Sequence, residues 1–355
     1  MTTRRGRRTA IGLLLALIAV ACTPDDGSSA AGTPTATITT ATSTSAPAGT
    51  AAPHTASGSP TAKPEVSAKP TVTPGPKDDP VVVAAGDIAC DPAHAAFNGG
   101  KGTDIECRQQ ATADLVSDID PDAVLALGDL QYEVAKLAEF KASYDKSWGR
   151  FKDITYPAPG NHEYGTGVAP GYYDYFGKKA GDRDKGYYSA DIGKWRLVVL
   201  NSNCHLVGGC RRGSPMERWL RADLARNRSR CTVAIWHHPR WSSGLHGSAE
   251  KVDGLWRTLV SAKVDLLLTG HDHDYERFAP LDAEGRPAAT GVRQFVVGTG
   301  GRNLYFFGLP QRGSERKQSQ AFGVLKLTLH DDGYSWEFVA VPGEDFTDSG
   351  TGRCS

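Results

Sequence analysis

Val264-Asp265-Leu266-Leu267-Leu268-Thr269-Gly270-His271-Asp272-His273 is a short apolar run that stops at a glycine and opens into two histidines flanking an aspartate. A run of this length and apolarity has the pattern of a strand buried on both faces. The side chains after it bring imidazole and carboxylate to the strand's carboxyl end, which core packing does not require, because every buried polar group needs a partner. The same order recurs upstream four times. Val81–Ala85 runs into Gly86-Asp87, and Ala123–Leu127 into Gly128-Asp129-Leu130-Gln131-Tyr132. A short strand near Ile154 precedes Pro159-Gly160-Asn161-His162-Glu163, and Thr232–Trp236 leads to His237-His238-Pro239.

Leu197–Leu200 and Gln294–Val297 are further apolar runs, and Cys107–Val116, Pro215–Arg226 and Ala249–Ser261 carry helical spacing between them, with Ser214 and Pro215 as N-cap and first helical residue. Strands alternating with helices imply an α/β domain. Val324–Leu329 and Tyr334–Val341 around Asp331-Asp332-Gly333 read as a hairpin. In open α/β sheets ligands gather outside the carboxyl ends of the strands, so the five polar clusters are expected to converge. Singly each is weak, since Gly-Asp after a strand is usually a turn and His237-His238 could be a hydrogen-bonded pair in the core. Together they place two carboxylates, an amide and at least three imidazoles at successive strand ends, and a pair of metal ions would give all of them partners.

Gly-Asp, Gly-Asp-x-x-Tyr, Gly-Asn-His-Glu, a strand-terminal histidine and Gly-His-x-His, in this order, resemble the motifs of the calcineurin-like metallophosphoesterases, and the tyrosine points to their purple acid phosphatase branch. Residues 269–277, Thr-Gly-His-Asp-His-Asp-Tyr-Glu-Arg, are especially close to that branch. The resemblance extends over Val81 to Val341 and implies a β-sandwich of the metallophosphoesterase type flanked by helices. It also implies that Asp129 bridges two metal ions, one further held by Asp87, Tyr132 and His273 and the other by Asn161, His237 and His271. His162 would bind or protonate substrate, and His246 lies where the family keeps a further catalytic histidine. Two departures are Gly86-Asp87-Ile88-Ala89, which lacks a glycine two residues after the aspartate, and His238 in place of a small residue.

Phosphate esters repel nucleophiles because both are electron-rich, and two cations roughly 3.5–4 Å apart neutralise that charge and orient in-line displacement. The expected function is therefore that of an exported dinuclear phosphoesterase hydrolysing phosphomonoesters by attack of a metal-bound hydroxide. His162 or His246 would protonate the departing alkoxide. Phosphodiester hydrolysis at the same site and a surface-tethered binding protein with a non-catalytic metal site are the alternatives. Phenolate from Tyr132 with carboxylates suits Fe(III), and the amide with two imidazoles suits Zn(II), Fe(II) or Mn(II). The other reading of Tyr132 is a packing residue.

Lys plus Arg equals Asp plus Glu at 40 each in 355 residues, so no global field draws in a polyanion, no nucleic acid is expected as a stable partner, and affinity for a small phosphate ester must be local. Residues 1–21 combine arginines, an apolar run from Ala10 to Ala21 and an Ala19-Val20-Ala21 pattern, as in a secretory signal peptide. Cys22 follows at once, which leaves lipid attachment there, and membrane contact through it, as an open outcome. Residues 22–79 are rich in Thr, Ala, Pro and Ser, read as a disordered linker that includes His54, and 80–355 as the metallophosphoesterase domain. Six cysteines then remain for the folded part of a secreted or surface-anchored protein. Fifteen connectivities are open, and short loops favour Cys90 with Cys107 and Cys204 with Cys210, leaving Cys231 with Cys354. Tyr172, Tyr173, Tyr175 and Phe176 read as packing residues rather than a cleft lining, and Gly298-Thr299-Gly300-Gly301 as a turn near the site.

Overall fold

A computed structural model describes residues 79–355. The expected signal peptide, the linker, Cys22 and His54 lie outside the described residues. Among those described, the strands are β1 (Val81–Ala85), β2 (Ala123–Ala126), β3 (Thr155–Pro157), β4 (Tyr188–Ile192), β5 (Trp195–Val199), β6 (Cys231–Ile235) and β7 (Leu266–Thr269). They continue with β8 (Tyr275–Leu281), β9 (Val292–Val297), β10 (Ser314–Gln318), β11 (Gly323–His330), β12 (Gly333–Ala340) and β13 (Asp348–Arg353). The α-helices are α1 (Gln109–Ile119), α2 (Leu137–Ala142), α3 (Pro170–Phe176), α4 (Pro215–Arg226) and α5 (Asp253–Ser261).

Two sheets result, one in the order β13-β12-β11-β1-β2-β3 and the other in the order β10-β8-β9-β7-β6-β5-β4. In the first sheet β1-β2-β3 are parallel out to the β3 edge and antiparallel strands continue from β1, while in the second β5-β6-β7-β9 form a parallel centre with antiparallel strands on both sides. This explains the unbroken apolar runs. On the second sheet Leu197, Val199, Val233, Ile235, Leu266 and Leu268 face the first sheet's Ala84, Leu125 and Leu325 in one core. Their neighbours Val198, Ala234 and Leu267 point the other way, onto Met216 and Leu220 of α4 and Leu255, Trp256 and Leu259 of α5. Successive strand residues alternate faces, so both faces are apolar only because both are covered. The family-type sandwich flanked by helices is thus what the chain forms.

Most expected elements occur within two or three residues of their expected bounds. α4 starts where Ser214 accepts the Glu217 N–H at 3.3 Å with Pro215 at the first helical position, a cap worth about 1 kcal/mol. The helix expected from Ala249 is interrupted, with a 3-10 turn at Glu250–Val252 before α5. Strands β4, β8, β10 and β13 had no expectation attached. β13 reads Asp-Ser-Gly-Thr-Gly-Arg and carries no apolar signal, and it forms because β12 offers an edge. Tyr172, Tyr173, Tyr175 and Phe176 pack with Phe140 and Tyr144 in an aromatic cluster, as packing residues.

Three disulfides join Cys90 to Cys107, Cys204 to Cys210 and Cys231 to Cys354. The last connects the start of β6 to the residue following β13, so it bridges the two sheets. Beside it Asp265, 5% exposed, accepts the N–H groups of Thr232 and Ser355, each at 2.8 Å. Burial pushes its carboxyl up to about 6 against the pull of those N–H groups. A carboxyl raised in the folded state holds its proton more tightly there than when unfolded. Its stabilising contribution is therefore complete below the unfolded value near 4 and is lost as pH rises through 6. Between pH 4 and 6.5 the wild type should lose roughly 2 kcal/mol more stability than Asp265→Asn, at ~1.4 kcal/mol per tenfold in proton affinity. Parallel urea titrations check this, and identical pH slopes would refute it.

Candidate metal centre

The strand ends converge. Asp87 follows β1, Asp129 and Tyr132 follow β2, and Asn161 follows β3 on the first sheet, while His237 follows β6 and His271 and His273 follow β7 on the second. The backbone there is forced. Asp87, Asp129 and His271 adopt φ of 60, 49 and 74°, a left-handed region costly for residues with a Cβ and concentrated at functional sites. A Cβ on Gly160 would lie 2.1 Å from Asp129 Oδ1, and one on Gly270 2.5 Å from Asp87 Oδ2. These glycines let the turns close around the carboxylates.

The donor atoms form two groups that share one oxygen. In the first, Tyr132 Oη lies 3.0 Å from Asp87 Oδ1, 2.9 Å from His273 Nε2 and 3.4 Å from Asp129 Oδ2, with His273 Nε2 3.3 Å from Asp87 Oδ1. In the second, His237 Nε2 lies 3.1 Å from the same Asp129 Oδ2, 3.2 Å from Asn161 Oδ1 and 3.2 Å from His271 Nδ1. Ligands held ~2.1 Å from a small cation at right angles stand about 3 Å apart, so both groups have the spacing of a coordination shell. Atoms that mostly accept are aimed at one another, which suits cations better than direct hydrogen bonds.

The surrounding contacts orient these atoms. His237 Nδ1 meets the Leu127 carbonyl at 2.9 Å and His273 Nδ1 meets Asn303 Oδ1 at 3.1 Å, an arrangement that leaves each Nε2 lone pair directed inward. Asp87 Oδ2 accepts the His271 N–H at 2.9 Å, and Asp129 Oδ1 the His162 N–H at 2.8 Å. Burial alone would raise the Asp129 carboxyl, but His237 and His162 outweigh it and hold the group far below the usual carboxylate range. Burial disfavours a charge on His237, yet Asp129 and Asp87 pull it up to about 9. That displacement measures how strongly the cluster attracts positive charge. His271, by contrast, is driven strongly down by burial and then by His237, so its ring is a neutral donor.

His162 packs its ring 4.2 Å from that of Tyr132, and its Nε2 lies 3.9 Å from Asp129 Oδ2. Its Nδ1 is engaged at 2.5 Å by the Glu133 carbonyl. His246 stacks on His271 at 4.6 Å, and its exposed ring makes no hydrogen bond among the described residues. His238 is turned aside, its Nδ1 2.8 Å from Ser202 Oγ. Every residue singled out from sequence for the site is therefore at this one place.

Several side chains that shape the site escaped the sequence reading. Glu163, fully buried, accepts the N–H groups of Asp129, Leu130 and Gly160 at 2.9, 2.9 and 2.6 Å, fastening the β2 and β3 turns together. Asp272 accepts the His246 N–H at 2.7 Å and the Ser242 hydroxyl at 2.5 Å, and so holds the loop that carries His246. Glu163 and Asp272 stood inside the quoted motifs, where only their lack of a metal role set them apart. Asn303 and Tyr305 sit in an irregular loop whose only signal was the preceding Gly-Gly. Tyr305 stacks on His273 with ring centres 4.1 Å apart and planes 7° apart.

The family model for calcineurin-like phosphoesterases matches residues 80–275. Purple acid phosphatase 21 of Arabidopsis thaliana is 30% identical over 155 residues, 41% of this chain and 34% of that protein. A protein of the same plant described as probable inactive purple acid phosphatase 1 is 24% identical over 257 residues, 62% of this chain and 41% of its own length. The chain thus spans well under half of these curated relatives. The structure of a purple acid phosphatase from yellow lupin (Lupinus luteus) seeds shares the fold with a TM-score of 0.60 at 23% identity, covering 78% of this chain and 55% of that one.

Proposed function

The chain belongs to the calcineurin-like phosphoesterase family, and from that premise we propose that it is an exported phosphatase with a dinuclear metal centre, acting on small phosphomonoesters. The observation that carries this reading is the sharing of Asp129 Oδ2 between two donor groups. Asp87, Tyr132, His273 and Asp129 would hold one ion, and Asn161, His237, His271 and Asp129 the other. When bound, the ions supply charge neutralisation at the phosphoryl group and make water acidic enough to furnish a nucleophile near neutral pH.

The chain's own groups do the rest. His162, beside Asp129 and fixed through its Nδ1, is placed to hold a phosphoryl oxygen. His246, free at both ring nitrogens, is placed to give a proton to the departing oxygen. Asp272 keeps His246 over His271 through its backbone, and Glu163 keeps the Asp129 turn from shifting. Burial and then the charges of Asp87 and Asp129 push the Tyr132 phenol well up, so only a strongly Lewis-acidic ion would draw off its proton. That favours Fe(III) on the tyrosine side and Zn(II), Fe(II) or Mn(II) on the other. The disulfides suit an oxidising compartment, in keeping with export and with residues 1–21 as its signal, residues 22–79 as a spacer and residues 80–355 as the catalytic domain.

The test is elemental analysis, a visible spectrum and turnover of a monoester and a diester by the purified chain. Two metals per chain and a visible band absent from Tyr132→Phe are expected. A well-folded, metal-loaded chain that turns over neither ester would leave only a binding role. An unchanged band in Tyr132→Phe would remove the tyrosinate assignment.

A further inference from the structure

The loop from Arg302 to Leu309 lies against the metal centre, and its side chains differ from one rim to the other. On the side of Tyr132 the rim is polar, with Arg302 pairing Glu133 at 2.9 Å and its guanidinium 5.4 Å over the Tyr132 ring. On the side of His246 it is aromatic and apolar. Tyr305 rests one face on His273, and the His246 ring stands 5.5 Å away, inclined at 73° to it. The Tyr305 N–H donates to the His273 carbonyl at 2.9 Å, which fixes this placement. Farther along, Gly308 donates to the Ser243 carbonyl at 2.7 Å and Gln311 to Ser243 Oγ at 2.9 Å, so the strand of loop carrying Phe306 runs beside the loop carrying Leu245 and His246. Phe306 is 73% exposed and Leu245 47%. Core packing explains neither.

We propose that Tyr305, His246, Phe306 and Leu245 form a leaving-group subsite that selects aryl phosphate esters. The proposal rests on the reading above, in which His246 protonates the departing oxygen, because the group attached to that oxygen must then lie beside His246. What lies beside it is a corner of two rings near right angles, where a flat group can stack on one and meet the edge of the other. The apolar side chains on this rim shed water when an aryl group covers them. The Tyr305 hydroxyl, without a hydrogen-bond partner among the described residues, remains available to a substrate oxygen.

Michaelis kinetics of the metal-loaded protein with phenyl phosphate and methyl phosphate test this, with Tyr305→Ala and Phe306→Ala beside the wild type. In Tyr305→Ala the fall in kcat/KM should be about tenfold larger for phenyl than for methyl phosphate, carried by KM, as expected for a lost aromatic pair. In Phe306→Ala, which alters a solvent-facing side chain, the excess should be about threefold. Equal falls for both esters in both variants would overturn the subsite while leaving phosphatase activity intact. Calorimetry with phenylphosphonate and methylphosphonate separates the two ideas. If the wild type hydrolyses neither ester, the phosphatase reading fails, and tighter binding of phenylphosphonate that is lost in Tyr305→Ala would still support the subsite. Equal affinity of the wild type for both phosphonates would sink it.

Discussion

Asp129→Ala should lower kcat/KM for a phosphate monoester by more than about 10³-fold, beyond the 10²–10³ lost when a single transition-state donor is removed. Asp129 Oδ2 is the atom common to both donor groups, 3.4 Å from Tyr132 Oη and 3.1 Å from His237 Nε2. Its removal breaks two shells at once, whereas loss of His271 or His273 breaks one. Oδ1 of the same carboxylate also receives the His162 N–H, so the group placed to hold the phosphoryl oxygen loses its anchor as well. Metal content should drop below two per chain. Asp129→Asn keeps the volume and one acceptor, and it separates misfolding from ligand loss: it should fold, bind less metal and remain nearly inactive. Wild-type turnover in folded Asp129→Ala would contradict the assignment of the site.

Glu163→Ala should cost about 4 kcal/mol of folding stability in metal-free protein, since three well-made backbone hydrogen bonds lose their acceptor in a dry interior at ~1–3 kcal/mol for each stranded group. Glu163 is fully buried, and water is poorly placed to replace it. Burial, followed by the charge of Asp129, pushes its carboxyl upward, so the ionised form is itself held at some expense. Glu163→Gln retains an acceptor without the charge, and should therefore lose less than half as much stability as the alanine variant. Urea unfolding of both variants is the measurement, with metal affinity as a second readout. A change below about 1 kcal/mol in Glu163→Ala would show that the turns hold together without it.

The fold was legible where sequence constraint is strongest. Runs such as Leu266-Leu267-Leu268 must be apolar on both faces because a second sheet covers one and α5 the other, so they read as strands without knowledge of their partners. Edge strands gave no such signal. Ser314–Gln318 is polar and finds its place through pairing with β8, and a contact of that kind is invisible in local composition. The site divides along the same line. Asp87, Asp129, Asn161, His237, His271 and His273 stand directly after recognisable strands, and their side-chain chemistry is itself unusual there. Asn303 and Tyr305 approach His273 from an irregular loop thirty residues or so downstream, where only the folded geometry brings them near. Glu163 was in plain view within the quoted motif but had no role attached to it. Its work is on main-chain amides, which no residue pattern announces.

The sulfur bridge between Cys231 and Cys354 crosses from one sheet to the other at the start of β6, whereas His237 and its companions meet at that strand's opposite end. The two sheets are therefore laced covalently at the base, and at the mouth the Gly86 N–H at the end of β1 reaches the Val297 carbonyl of β9 at 2.9 Å. Carboxylates from one sheet and imidazoles from the other are thereby held in register from both ends of the sandwich.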